Sequence, residues 1–444
     1  MISKIHRTIL LLSFILLCSA SAYAEQKQFS LENCIEFAWS NSTDIGRAQN
    51  SIRSWKSNLE TAKAAEDPSL TLGGDVNSSW NNKYDSSSQH WERSGDTTYS
   101  VSLSSSMTLY DGGKAQSTIK QNRLSLAASQ SSIETEKNNI SLNILTAYIN
   151  ILLAKEKTKN AEVQLSSTQK QLEYATVRQA QGIISKSELL NMKSQYASDT
   201  VDLLTARSDQ RMYLFNLMQL MNMPVDDDFD IESPDVQTIL SEHVETDAVQ
   251  IYQSAVENRP EIRTAELELE SAEKAIETAK ADDSTNVSIY GVLGTGYSSD
   301  TTDSDILGQT VNDITPTVGL AVSIPLYQRK QNQNLVAQAA IVSSNYRYSL
   351  LDLKNSLRKA IEQACLDSNT ALLSYKASRE QYNAMKESYR VAEAMFKQGA
   401  VNSVDYLTAK NNLVSAENDL VQAKYNVVLQ RKLIDYYRGE PIRF

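Results

Sequence analysis

Two regions of the chain alternate between apolar and small polar residues. Leu70, Leu72, Gly74 and Val76 alternate with Thr71, Gly73, Asp75 and Asn77. Tyr99, Val101, Leu103, Ser105, Met107 and Leu109 alternate with Ser100, Ser102, Ser104, Ser106 and Thr108. Farther on, Val287, Ile289, Gly291 and Leu293 share one face, and Val318, Leu320, Val322, Ile324 and Leu326 alternate with Thr317, Gly319, Ala321 and Ser323. A period of two predicts strands, so the chain carries two β-hairpins, at about 68–110 and about 285–327. The stretches between them repeat their apolar residues at helical spacing. Leu413, Leu420 and Val427 form one heptad line, and Val414, Val421 and Val428 the adjacent one. Side-by-side heptad lines argue for a helix packed against neighbours on both sides, as in a helical wall. Tyr110 to Gly182 covers about 72 residues, about 108 Å as unbroken helix, longer than an ordinary globular domain.

Gly182 is the only glycine between Lys114 and Tyr290, and Gly399 the only one between Leu320 and Arg438. No proline lies between Tyr110 and Met223 or between Leu326 and Glu440. Each glycine therefore interrupts a long helix-permissive run, and is expected to end one helix in a left-handed conformation so that the chain reverses. The two lie 217 positions apart (399 − 182), and that offset recurs. It aligns Asn41-Ser-Thr-Asp-Ile45 with Asn258-Arg-Pro-Glu-Ile262, Leu109-Tyr110 with Leu326-Tyr327, Glu188 with Asp405, Leu190 with Leu407 and Pro224 with Pro441. The chain is thus one unit written twice. Repeat 1 covers 25–224: a first helix from about Leu31 to Glu66, the hairpin, a long helix 111–181 and a helix 183–222. Repeat 2 covers 248–444: a first helix from about Ala248 to Lys280, the hairpin, a long helix 328–398 and a helix 402–437. The stretch 225–247, with Asp226, Asp227, Asp228, Asp230, Glu232, Asp235, Glu242 and Glu245 between Pro224 and the second repeat, reads as a solvated acidic linker with a short helix and not as a metal site.

The start of the chain changes the compartment. Lys4, His6 and Arg7 precede an apolar run from Ile9 to Leu17, and Ala22-Tyr23-Ala24 precedes Glu25, so residues 1–24 read as a secretory signal peptide. Leu17 stands before Cys18 where lipidation needs a small residue, which argues against a lipoprotein. The whole chain has 43 basic and 54 acidic residues, net −11, and cleavage removes Lys4 and Arg7. That balance excludes bulk-charge attraction to nucleic acid or an anionic surface. Cys34 and Cys365 then read as two buried free thiols rather than a disulfide framework. With three histidines, His6, His90 and His243, far apart, no metal, phosphate-binding or catalytic motif emerges. No cofactor and no enzymatic activity is expected.

Strands of about ten residues with one apolar and one small-polar face suit a membrane β-barrel. The long polar tips, Asn81 to Asp96 and Ser298 to Asp313, with Asp300, Asp303, Asp305 and Asp313, read as extracellular loops. Four strands cannot close a barrel, and open edges cannot sit in lipid, so the chain must oligomerise. Two copies would give eight strands with a filled interior; three would give twelve with a lumen, which the Ser/Gly/Thr faces favour.

Asn258-Arg-Pro-Glu-Ile262, Ser323-Ile-Pro-Leu-Tyr327, Leu109-Tyr-Asp-Gly-Gly113 and Gln398-Gly399 followed by Asp405-Tyr-Leu407 resemble, in that order and across nearly all the mature sequence, the TolC-type outer-membrane efflux proteins. The resemblance implies a mainly α, internally duplicated homotrimer. A twelve-stranded β-barrel in the outer membrane would continue into a long periplasmic α-helical barrel, and the linker would lie in a belt around it. It implies a passive conduit for small molecules, served by a periplasmic adaptor and an inner-membrane pump. The same conduit would serve a type I protein secretion system with an ATP-binding exporter; a non-transport coiled-coil envelope protein is the reading from another class. It also implies that the two turns form the periplasmic aperture and the adaptor-docking rim. Gly182, Ile183, Ile184 and Ser185 in one copy, and Gly399, Ala400, Val401 and Asn402 in the other, match the docking turns. Glu188 and Asp405 match acids at the constriction. Phe396, Val401 and Thr408 stand where some members carry a tyrosine, an arginine and a second acid. The closed state is therefore expected to rest on apolar contacts of Val401, Ile184 and Phe396 more than on ion pairs.

Overall fold

The computed structural model describes residues 28–241, 247–299 and 306–444, and the expected signal peptide lies outside them. Helices α1 (Leu31–Asn41) and α2 (Thr43–Ala64) lead to strands β1 (Ser69–Asp85) and β2 (His90–Tyr110). The long helix α3 (Lys114–Ala180) and its return α4 (Lys186–Leu220) complete the first repeat, and α5 (Gln237–Ser241) lies in the linker. The second repeat runs α6 (Ala248–Asn258), α7 (Pro260–Ala281), β3 (Asn286–Ser298), α8 (Ile306–Asn312), β4 (Thr315–Ser323), α9 (Gln331–Lys397) and α10 (Ser403–Arg438). No described helix is long and apolar enough to cross a membrane.

The chain divides into two compact units. One holds 47–133 and 260–354; the other holds the described parts of 1–46, 134–259 and 355–444. The first contains a four-stranded antiparallel sheet in the order β1-β2-β3-β4. Its register sorts the faces. Leu72, Leu103 and Leu293 pair across three strands, as do Met107, Ile289 and Leu320. On the other face Thr71, Ser104, Val292 and Thr317 line up, beside Gly73, Ser102, Gly294 and Thr315. Successive strand residues face opposite sides, so one face is apolar and the other, apart from Val292, is small and polar. The apolar face is bare: Leu70 is 72 % and Val318 80 % exposed. The helices of this unit meet through a small apolar cluster of Leu59, Ala62 and Ile119 and through a hydrogen bond of 2.9 Å between Ser125 and Ser271.

The strand-to-helix joints differ between the copies. After β2, Gly112 and Gly113 have φ of 71° and 85°, and Asp111 accepts from the N–H groups of Gly113 and Ala115. A Cβ on Gly112 would stand 2.1 Å from Ser284. At the same offset after β4, Arg329 and Lys330 have φ of 50° and 65°, a region L residues enter at a cost.

The other unit has a core of Cys34, Ile35, Ile144, Leu145, Tyr148, Leu152, Leu217, Ile231 and Val428, among others. Cys34 and Cys365 are both unbonded and buried. Phe444 packs on Tyr148 with ring centroids 5.7 Å apart.

Several sequence expectations are corrected. Each first helix is two helices. Ser42, extended at φ −68°, ψ 126°, receives the N–H groups of Asp44 and Ile45, and Arg259 is held extended before Pro260, where a helical conformation is disfavoured. Helix α4 starts at Lys186, three residues after 183, because Ser185 is its cap. The first hairpin tip is not a long loop. The ladder continues through Trp80 opposite Gly95 to Asp85 opposite His90, with Tyr84 against Trp91. The second tip contains α8, and Asp300, Asp303 and Asp305 lie outside the described residues. Strand β4 ends at Ser323, so Ile324 and Leu326 are not in it. The linker is docked rather than solvated. Phe229, Ile231, Val236 and Ile239 are buried, and Ile231 bridges Phe29 in parallel. Tyr148 donates to the carbonyls of Phe29 and Glu232, and Lys155 pairs with Asp230 at 2.7 Å. The linker's acids hid these four apolar residues. Glu242 and Glu245 lie outside the described residues.

Candidate functional site

Both turns close in the same way. Gly182 has φ 72°; its N–H reaches Gln179 O at 2.9 Å, and Ile183 N–H reaches Arg178 O at 2.9 Å. Gly399 has φ 74°, with Gly399 N–H on Phe396 O at 3.0 Å and Ala400 N–H on Met395 O at 2.9 Å. These paired bonds satisfy the last carbonyls of α3 and α9. A Cβ on either glycine would meet nothing within 4 Å, so the backbone conformation alone calls for glycine.

The side chains after the glycines differ. In the first turn Ser185 and Glu188 form a reciprocal capping box. Ser185 Oγ accepts Glu188 N–H at 3.1 Å, and Glu188 Oε2 accepts Ser185 N–H at 2.9 Å. In the second turn Asn402 Oδ1 accepts from the N–H groups of Val404 and Asp405, each at 2.9 Å. Asp405 is exposed and its carboxylate caps nothing among the described residues. Glu188 is half-buried. Either acid sits in the first turn of a helix, where negative charge is favoured.

The remaining predicted positions fall into two groups. Phe396 stacks on Tyr406, centroids 4.7 Å apart and planes 16° apart, and Ile184 packs against the same buried cluster of Ala175, Met192 and Tyr406. Thr408 is exposed and its hydroxyl donates to Val404 O at 2.9 Å; Val401 is half-buried and is not in that cluster. Ile183, Ala400 and Asn402 are exposed. Phe396 and Ile184 therefore come together, while Val401 and Thr408 do not join them.

Tyr406 is the residue that sequence reasoning missed. It is 1 % exposed, and its hydroxyl bonds Tyr389 at 3.0 Å, which receives Gln171 Nε2 at 3.4 Å. Burial pushes its phenol well above the ordinary range, so it stays neutral. Its position aligns with Leu189 of the first copy, which marks it as apolar in role. A cavity of about 410 Å³ lies alongside, lined by Tyr174, Arg178, Ile184, Phe396 and Tyr406 among others. Among the described residues no three His, Cys, Asp or Glu side chains are grouped to hold a metal.

Comparison with known proteins agrees with this layout. The model of a family described as "Outer membrane efflux protein" matches residues 35–223 and 251–434, one stretch in each repeat. The outer membrane protein TolC of Escherichia coli is 22 % identical over 351 residues, covering 75 % of this chain and 67 % of that protein. The outer membrane efflux protein BepC of Brucella suis is 22 % identical over 422 residues, covering 94 % and 86 %. Among solved structures, the channel CusC superposes with a TM-score of 0.79 at 17 % identity, over 95 % of this chain and 96 % of that one. The chain belongs to the outer membrane efflux protein family: it is an outer-membrane channel with a large periplasmic helical part.

Proposed function

We propose that three copies of this chain form one conduit. The four-stranded sheets join into a twelve-stranded barrel, and the long helices into a periplasmic tunnel, through which small molecules leave the cell. The observation that carries this is the open sheet. β1 pairs with β2 alone and β4 with β3 alone, and the sheet presents a bare apolar face. Unpaired backbone edges are costly in lipid, so edge must meet edge between copies. Twelve strands lined on one face by Ser, Thr and Gly leave a water-filled lumen.

The conduit makes no covalent change. Transport is driven elsewhere, by an inner-membrane pump joined through a periplasmic adaptor docking at Gly182–Ser185 and Gly399–Asn402. In the trimer six carboxylates, Glu188 and Asp405 from each chain, surround the periplasmic mouth. Such a ring attracts cations and repels anions. Phe396 and Ile184, gathered around Tyr406, hold each protomer's part of the mouth by apolar contact.

Two measurements test this reading. Outer-membrane fractions should yield a heat-modifiable trimer that conducts ions in planar bilayers; a monomer, or a trimer without conductance, contradicts it. Cysteines at Ser185 and Asn402 carrying a photocrosslinker should capture one periplasmic adaptor in intact cells, and capture equally well from Tyr174 would contradict docking at the turns.

A further inference from the structure

The first hairpin runs on far beyond the rest of the sheet. Strand β2 pairs with β3 only as far as Thr98, opposite Ser298, whereas β1 and β2 stay paired to Asp85 opposite His90. This two-stranded ribbon ends at the opposite end of β1 and β2 from their joints to α2 and α3. In an outer-membrane channel with its helices in the periplasm, the ribbon points to the cell exterior. The β1–β2 register never shifts, so each face can be followed rung by rung. The face that carries Leu72 and Leu103 continues as Trp80 opposite Gly95, Asn82 opposite Arg93, and Tyr84 opposite Trp91. The other face continues as Ser79 opposite Asp96, Asn81 opposite Ser94, Lys83 opposite Glu92, and Asp85 opposite His90. The three acids of the ribbon, Asp85, Glu92 and Asp96, thus share the face continuous with the small polar residues. The face continuous with the apolar residues has three rings, an amide and a guanidinium, and no acid.

These rings are laid open. Trp80 is 67 % and Trp91 71 % exposed. A Cβ on Gly95 would stand 3.0 Å from the Trp80 indole, so the glycine lets that ring lie across the ribbon. Tyr84 and Trp91 meet edge to face, with centroids 5.4 Å apart. Arg93 and Asn82 are exposed on the rung between the two aromatic rungs. A barrel's lipid-facing band is about 25 Å tall, with strands tilted by about 40°. Counted from Leu70 at about 3.4 Å per residue along such a strand, Trp80 stands about 26 Å up and Tyr84 about 36 Å. Trp80 therefore marks the upper edge of the hydrocarbon, where an aromatic belt would stop. The Arg93 and Tyr84–Trp91 rungs lie above it, at the level of the headgroups. The outer leaflet of a Gram-negative outer membrane is built of lipopolysaccharide, whose headgroups are phosphorylated sugars. The C–H face of a sugar ring lies well on the negative face of an aromatic ring, and a guanidinium pairs with phosphate in two parallel hydrogen bonds.

We propose that the Trp80, Tyr84, Trp91 and Arg93 face of the ribbon is a docking surface for the phosphorylated sugars of the surrounding lipopolysaccharide. The rings stack on sugars, Arg93 takes a phosphate, and Asn82 hydrogen-bonds beside it. The proposal rests on the reading that the apolar sheet face meets lipid, because the ribbon face continues it. On that reading the face looks away from the barrel axis, where the ribbons of the other protomers cannot cover it. The acids on the opposite face are thereby turned away from the anionic leaflet.

The test is equilibrium binding of rough lipopolysaccharide (lipid A with its phosphorylated inner-core sugars) to the full-length, delipidated protein in dodecyl maltoside. Trp91→Ala should weaken binding by about tenfold, as removal of an exposed aromatic anchor does. Arg93→Gln should weaken it by about fivefold, and should change nothing when the probe has been stripped of its phosphates. Glu92→Gln, on the opposite face, should bind as the unmodified protein does. Unaltered binding by a folded Trp91→Ala protein would overturn the proposal, as would an equal loss in Glu92→Gln. So would equally tight binding of phosphatidylglycerol, which has the charge without the sugars, or of the core oligosaccharide freed from its lipid. Should Trp91→Ala not fold, Arg93→Gln carries the test, and the same loss with and without phosphates on the probe overturns the proposal. The underlying reading is checked separately in reconstituted membranes, with a nitroxide on Leu72→Cys in a Cys34→Ala/Cys365→Ala background. Oxygen dissolved in the lipid should relax that label strongly. A label shielded from oxygen would refute the lipid-facing reading itself, whereas an oxygen-exposed label beside failed binding refutes the docking surface alone.

Discussion

The two copies of the repeat share a backbone and differ in what secures it. At the turns, Gly182 and Gly399 have nearly the same φ and the same pair of closing hydrogen bonds. Past the glycine the first copy relies on polar contacts, with Ser185 and Glu188 locked to each other's N–H groups. The second is capped by Asn402 alone and adds an aromatic stack, with Tyr406, at the offset position of Leu189, lying on Phe396. The joints diverge the other way. The first uses two glycines for its left-handed bend; the second forces Arg329 and Lys330 into the same region. Duplication preserved the path of the chain and let the side chains specialise. The first turn keeps its acid fixed by a cap, while the second leaves Asp405 exposed.

The largest expected effect is at the second turn. Tyr406→Ala should cost about 3–5 kcal/mol of stability, the loss for emptying a buried aromatic site. Leu189→Ala, half-buried at the equivalent position, should cost about 1 kcal/mol. Helical melting in detergent checks both, and equal losses would erase the contrast. Next comes Gly112→Ala, which adds a methyl 2.1 Å from Ser284 at positive φ and should cost about 2–4 kcal/mol in the same assay. Lys330→Gly in the other joint should instead stabilise by about 1 kcal/mol. A destabilised Lys330→Gly would show that the lysine side chain compensates for its backbone. The smallest effects are at the caps. Ser185→Ala and Asn402→Ala should each cost about 1 kcal/mol. Ser185→Ala alone should also loosen the Glu188 carboxylate, seen as faster exchange of the backbone amide at position 185.

Cys34 offers a separate check on the docked linker, because it lies in the core that the linker helps to close. Burial, with Glu32 and Glu232 nearby, pushes its thiol up to about 12. It therefore stays protonated at pH 8, and iodoacetamide should label it only after unfolding. Rapid labelling of the native protein at pH 8 would mean that the segment from Phe229 to Ile239 is not seated.

Much of this was legible in the sequence. Alternation has a period of two in any context where one face is lipid and the other water, so Leu70, Leu72 and Val76 announced their strand directly. The constant offset revealed the equivalence of Gly182 and Gly399 before any coordinates. What escaped were effects without local periodicity. The break at Arg259 was signalled by Pro260, but helix-like composition on both sides masked it. In sequence the ladder beyond Asn81 looks like a loop because Ser and Asn dominate it, yet Tyr84 and Trp91 continue the pairing. Phe229 and Ile231 were outnumbered by acids. Lys410 finds Thr168 and Asp199 far away in sequence, and no spacing rule reports such a meeting.

The proposed periplasmic mouth owes its charge to Glu188 and Asp405. Its most direct test is the reversal potential of single channels under a salt gradient, comparing the unmodified trimer with Glu188→Gln/Asp405→Asn. Glutamine can keep the capping box and asparagine keeps the helix start, so the comparison isolates charge. The unmodified channel should be cation-selective, and the variant should show a reversal potential near zero. An unchanged reversal potential in an intact trimer would contradict it.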